Sequence, residues 1–234
     1  MKKLLTVLTP LALIGVAGAT PANAAVIAGW NQFLTGGATY PVAADTSDGN
    51  ISTTGLDTAN IQHLFLPAFG LGGAGTASDG SSGSWNTGAT VDLSQYLEFQ
   101  VEANAGFEMD FSNLQLNAQM DETNLDLVLR SSIDGFTSDL GSINLTGSFA
   151  TYTLDLSSLA PQTGPVQFRF YGINADTDTV FFIAENSANV DGGGFVAING
   201  DVNPIVSESV PEPSSIISLI ALGALGVASR RRLG

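Results

Sequence analysis

The sequence predicts an all-β fold, an antiparallel sandwich of jelly-roll type with about nine or ten strands between Val26 and Val202. Three observations carry this. Apolar and polar residues alternate with period two in several separate stretches, the mark of strands with one buried and one wet face. Gly, Ser, Asn and Asp clusters such as Asp134-Gly135 and Asp191-Gly192-Gly193-Gly194 punctuate those stretches. No long stretch of helical period occurs before residue 214.

The chain opens with MKKLLTVLTPLALIGVAGATPANAA. Lys2 and Lys3 precede an apolar run from Leu4 to Ala19, and Ala22-Asn23-Ala24 sets small residues where a signal peptidase inspects the chain. The pattern predicts a signal peptide over residues 1–24, cut between Ala24 and Ala25; a retained membrane helix is the alternative. Residues 35–90 are rich in Gly, Ser and Thr, which predicts long loops and short edge strands. Beyond them alternation is clear. Leu97, Phe99 and Val101 interleave with Glu98, Gln100 and Glu102. The same reading holds for Leu125, Leu127 and Leu129, for Tyr152, Leu154 and Leu156, and for Val166, Phe168 and Phe170. One stretch changes phase. Phe107, Met109 and Phe111 are apolar at odd positions, but Leu114, Leu116 and Ala118 at even ones. A strand cannot change faces without an extra residue, so a bulge or break is expected at Ser112-Asn113.

Residues 25–203 thus form the expected exported domain, and 204–213 a linker holding Pro211-Glu212-Pro213. The two prolines fix φ and disfavour helix, which keeps Glu212 extended. Ser214 to Ser229 is apolar and free of charge, and Arg230, Arg231 and Arg232 follow it. A helix over those 16 residues is roughly 24 Å long, short of a hydrocarbon core of about 30 Å. Bilayer thinning and snorkelling arginines absorb such a mismatch, and the arginines hold their end on the cytoplasmic side. Residues 214–234 are therefore read as one transmembrane helix with a basic tail.

Pro211-Glu212-Pro213, an apolar helix and a terminal arginine cluster together resemble the PEP-CTERM sorting signal of exported bacterial proteins. That resemblance implies an exosortase, a membrane cysteine protease-transferase, that processes the tail. It also implies a bacterial host with an outer membrane and exopolysaccharide. The middle of the chain resembles a β-sandwich domain frequent in such proteins. The likeness lies in Leu129-Arg130-Ser131-Ser132-Ile133-Asp134-Gly135-Phe136, in Tyr152-Thr153-Leu154-Asp155-Leu156 and in Phe168-Arg169-Phe170-Tyr171-Gly172. It spans about residues 90–202 and implies a lectin-like fold with no activity attached. Where such domains close with an Asp-Asn pair, this chain has Gly194 to Gly200.

Charge narrows the function classes. Of seven Lys and Arg, only Arg130 and Arg169 lie between the termini, against all 22 acids, a net charge of −20 for that region. It lacks the clustered cations that a nucleic-acid backbone requires. There is no cysteine, hence no disulfide framework and no thiol nucleophile. The single histidine, His63, has no nucleophile-elbow motif near it and reads as structural. Gly70 to Gly75 matches G-x-G-x-x-G in letters, but loop-like sequence follows it, so a loop is expected there. Asn174, Asp176, Asp178 and Glu185 have the oxygen spacing of a calcium loop, without its glycine at position six, where Thr179 stands. A looser Ca²⁺ site on Asp176 and Asp178 and a solvated acidic turn are the two readings; no other cofactor is expected. Arg130 and Arg169 are each expected to pair with a cross-strand carboxylate, Asp155 being the candidate for Arg169.

These observations predict a non-enzymatic, exported protein of the cell envelope or extracellular matrix. The membrane holds it through its C-terminal helix until signal peptidase and exosortase have acted. The sandwich is expected to be a structural or interaction module. The alternative is a carbohydrate-binding module that retains exopolysaccharide, for which Trp30, Trp85, Tyr40 and Tyr171 are the candidate stacking rings.

Overall fold

Alternation along the chain becomes two antiparallel sheets in the computed structural model, which describes residues 24–30, 41–66, 70–75, 85–120, 124–175, 180–183 and 196–206. Its strands, in chain order, are β1 (Ala25–Trp30), β2 (Thr46–Ser47), β3 (Ile51–Thr53), β4 (Asp57–Ala59), β5 (Ile61–Leu66) and β6 (Gly70–Gly75). Then come β7 (Tyr96–Ala103), β8 (Phe107–Met120), β9 (Asp126–Ser131), β10 (Gly141–Asn144) and β11 (Ala150–Asp155). The last three are β12 (Val166–Ile173), β13 (Val180–Ile183) and β14 (Val196–Pro204). A single 3-10 turn, Ser132–Asp134, follows β9.

One sheet of eight strands runs β2-β1-β14-β8-β13-β6-β5, with β11 also pairing β8. The other, of six, runs β10-β9-β12-β7-β3, with β4 also pairing β7. Rings meet between the sheets. Phe111 of β8 packs edge-on against Phe168 of β12 at 5.4 Å, and Trp30 of β1 tilts against Phe99 of β7 at 4.6 Å. Leu97, Phe99 and Val101 on β7, Leu127 and Leu129 on β9, and Leu114 and Leu116 on β8 complete the buried layer. The fold is thus an antiparallel β-sandwich, and the inward residues are those whose alternation marked them. Leu125 and Leu156 lie just outside their strands, yet both are fully buried.

The expected phase change is a bulge at Ser112 inside one continuous strand. Asn199 of β14 pairs with Asn113, and the next residue, Gly200, pairs with Phe111, which leaves Ser112 without an opposite number. Met109 and Phe111 are buried before it, Leu114, Leu116 and Ala118 after it, so one strand feeds the core from both phases. The Ser112 carbonyl still accepts a hydrogen bond, from Leu156 N–H at 2.9 Å. On the other flank of β14, the register with β1 shifts between Val26 and Ala28. Both neighbours of β14 therefore bulge at adjacent steps, on either side of Asn199.

Two expectations are corrected. Among the described residues the fourteen strands exceed the nine or ten predicted, because β2, β3 and β4 are only two or three residues long. Too short to show a period, they are held by long-range pairing with β1 and β7. The Gly70–Gly75 stretch, expected as loop, is strand β6, paired with β5 on one side and β13 on the other. Glycine lowers strand propensity, but hydrogen bonding on both flanks outweighs that local preference.

Candidate functional site

The two interior arginines meet. Arg130 on β9 and Arg169 on β12 are direct cross-strand partners on the outer face of the six-stranded sheet. Like charges placed opposite each other repel, so each needs its own anion. Arg169 Nε donates to Glu98 Oε2 at 3.0 Å, across the β12–β7 register. Gln167 Nε2 donates to the same oxygen at 2.7 Å, and Arg169 Nη2 donates to Gln167 Oε1 at 3.3 Å, which closes a triangle. Arg130 Nε donates to Asp139 Oδ1 at 2.7 Å, from a loop rather than a strand. Both guanidinium side chains are largely covered, at 18% exposed for Arg130 and 20% for Arg169. The expected cross-strand pairing is met for Arg169, with Glu98 rather than Asp155 as its partner, while the acid on Arg130 comes from a loop instead of a neighbouring strand. Asp155 lies on β11 in the other sheet, opposite Asn113, and its carboxylate accepts the Ser157 N–H at 2.9 Å. Those bonds from Ser157 hold its pKa below the usual range.

Rings enclose one of the pair. The Arg169 guanidinium carbon lies 3.9 Å from the centre of the Tyr96 ring and 4.1 Å from that of Phe136. A planar cation stacks on such rings and loses little hydration there. Phe136 is held at both ends, since Arg130 Nη1 donates to its carbonyl at 3.0 Å. Its φ is 62°, left-handed backbone that a bulky residue adopts only when its surroundings enforce it. Its N–H donates to Ser131 O at 2.9 Å, and Gly135 before it takes φ 72°. Asp134 closes the turn by accepting the Ser138 N–H at 2.8 Å, together with the Thr137 N–H and hydroxyl. Hydrogen bonds from Ser138, and after it Thr137, hold the Asp134 carboxyl down to about 2 against a smaller desolvation effect. Tyr171 lies next along β12, fully buried, its ring 5.8 Å from Tyr96. Burial pushes its phenol up, with the Arg169 charge opposing in part.

The segments Arg130 to Phe136 and Phe168 to Gly172 thus converge into one clamp. It pins the 132–139 loop onto the sheet by a guanidinium between two rings. Glu98, Gln167, Tyr96 and Asp139, which sequence reasoning did not assign, complete it. Glu98 is one of two outward acids on β7, beside Glu102, and only the register with β12 singles it out. Gly172 serves the opposite face of β12, where a Cβ would overlap the buried Trp85 ring.

The remaining predicted residues are dispersed. Ala24 is half-buried just before β1, and Ala25 is the exposed first residue of that strand. His63 stands on β5 opposite Gly73. Trp30, Trp85 and Tyr171 are fully buried. Tyr40, Asp176, Asp178, Pro211, Glu212, Pro213 and Arg230 to Arg232 lie outside the described residues. Among the described residues, no group of three or more His, Cys, Asp or Glu side chains is placed to hold a metal ion. None of the described helices is long and apolar enough to cross a membrane.

Residues 209–232 match the model of the PEP-CTERM protein-sorting motif. The chain carries a PEP-CTERM sorting signal. Such a signal marks an exported protein that is anchored in a membrane before exosortase processing. Pro211, Glu212, Pro213 and the three arginines all fall inside the matched span. No curated protein sequence matches this chain. Among solved structures, it is similar to a mutant of the family 29 carbohydrate-binding module CBM29-2 complexed with mannohexaose. That pair shares 9% identity over 76% of this chain and 94% of the other, with a TM-score of 0.37. A second similar structure is CBM29_1 from Piromyces equi, at 10% identity over 66% and 84% and a TM-score of 0.33.

Proposed function

We propose that this is a non-catalytic protein of the cell envelope or extracellular matrix, exported by a cleaved signal peptide and released or transferred by an exosortase. The match at residues 209–232 carries the sorting half of the reading. The β-sandwich serves as a structural or interaction module. Burial of Trp30, Trp85 and Tyr171 favours that role over polysaccharide retention, because glycan platforms stack sugar faces on exposed rings. Arg130 and Arg169 fit it too, since their N–H groups and ring contacts are used within the domain.

The test is fractionation of the native host with and without its exosortase, followed by mass spectrometry of the mature protein. The expected product begins at Ala25 and ends near Pro211-Glu212-Pro213, and the exosortase-deficient strain keeps the protein in its membrane. A terminus intact through Gly234 in the exosortase-positive strain overturns the sorting reading.

A further inference from the structure

We infer that the sandwich stands on the membrane by one fixed pole, with the turn at residues 104–106 facing the lipid and the turn at 145–149 facing away. The inference rests on the anchoring reading above and adds the orientation. Ala25 at the start of β1 pairs with Gly200 of β14, and the two strands are antiparallel. β14 then runs on through Asp201 to Pro204 in the direction from which β1 enters. The chain upstream of Ala25 and the chain downstream of Pro204 therefore leave the domain from the same end of the same sheet. These are the segments read as signal peptide and sorting helix.

That end is well defined by its neighbours. Pro204 pairs with Phe107, the first residue of β8, and Ile205 N–H donates to Gly106 O at 2.8 Å, so chain order persists to residue 205. Asn104, Ala105 and Gly106 form the exposed turn from β7 into β8, and Asn104 N–H donates to Asn50 O at 2.8 Å. The opposite end is marked by Asn144 opposite Asp126, by Ala150 opposite Ala118, and by the turn between them, in which Gly147 and Ser148 are exposed.

Lengths decide whether the domain can turn over. The apolar run begins at Ser214, ten residues beyond Pro204, a tether of about 35 Å at full stretch. The 14-residue strand β8 separates the two ends by about 46 Å. A tether shorter than the domain is long cannot bring the far pole to the bilayer. Adsorption does not hold the near pole, since exposed Asp110 and Asp201 there are repelled by anionic lipid. The tether alone sets the orientation, and the far pole is the one offered to partners outside.

The chain has no cysteine, so single labels report cleanly. The full chain carrying Ala105→Cys or Ser148→Cys is labelled with a fluorescent maleimide and reconstituted into phosphatidylcholine vesicles containing lipid spin-labelled at the headgroup. Asn104→Cys and Gly147→Cys form a second pair, and each variant must retain the strand circular dichroism of the parent. Quenching at position 105 is expected to exceed that at 148 severalfold, with 104 and 147 behaving alike. Equal quenching, or more at 148, in protein that floats with the vesicles overturns the orientation and leaves anchoring intact. Protein that fails to float overturns the anchoring reading and the orientation with it.

Discussion

Arg169 shows how one side chain can hold a loop, a strand and a strained residue together. Lysine keeps its charge but neither the fork that meets Glu98 and Gln167 nor the plane that stacks between Tyr96 and Phe136. Arg169→Lys is expected to lower unfolding free energy by about 1–2 kcal/mol, the range of a partly desolvated cation–π contact, in urea denaturation of the exported domain. Equal midpoints for the two proteins would show that charge alone suffices. Asp134 acts nearby through acidity. Its pKa falls from an ordinary 3.8 to about 2 on folding, so its contribution is complete above pH 4 and is lost as pH drops through about 2. The parent domain is expected to exceed Asp134→Asn in stability at neutral pH. The difference should shrink between about pH 4 and pH 2, and acid titration of the two proteins reads this directly.

At the scale of strands, β14 is where local sequence and distant geometry meet. With its neighbours bulged on both sides, a Cβ on Gly200 would overlap the Asp110 carbonyl oxygen and crowd Ile27. Gly200→Ala is therefore expected to cost about 1–3 kcal/mol, as overpacking does, measured as a shift in the urea midpoint at unchanged slope. The bulge itself was legible beforehand, because the phase change from Phe111 to Leu114 is a local record of a non-local constraint. So was the buried face of β7, where every other residue is apolar. The partner of Arg169 was not legible. Register between β7 and β12 decides it, and no residue near Arg169 in sequence encodes that register. Tyr171 misled for a related reason: its position assigns it to the outer face, but Tyr96 and the arginines cover that face. Strands β2 to β4 and β6 escaped because two or three residues, or six that include four glycines, carry no alternation to read.

Over the whole molecule, acidity dominates. With a net charge of −20 between the termini, the folded domain repels itself. Raising ionic strength from 0.01 to 0.15 M shortens the screening length from about 30 to 8 Å. Melting temperature is expected to rise by about 3 °C across that range, equivalent to roughly 1 kcal/mol for a domain this size. A flat response in differential scanning calorimetry would mean that repulsion among the acids costs the folded domain little.

The pairing of the first strand with the last also bears on timing. During export the chain emerges from its N-terminal end, so β1 arrives outside long before β14. Until Val196 reaches its register opposite Trp30, that indole lacks the neighbour strand that completes its burial. Folding is thus expected to wait for the end of translocation, since these contacts join distant parts of the sequence. A chain stalled before residue 196 should leave Trp30 open to water, with red-shifted indole emission and rapid digestion by trace protease. A complete chain should resist both. The last strand then doubles as a checkpoint, separating finished molecules from fragments before any envelope protease has to choose.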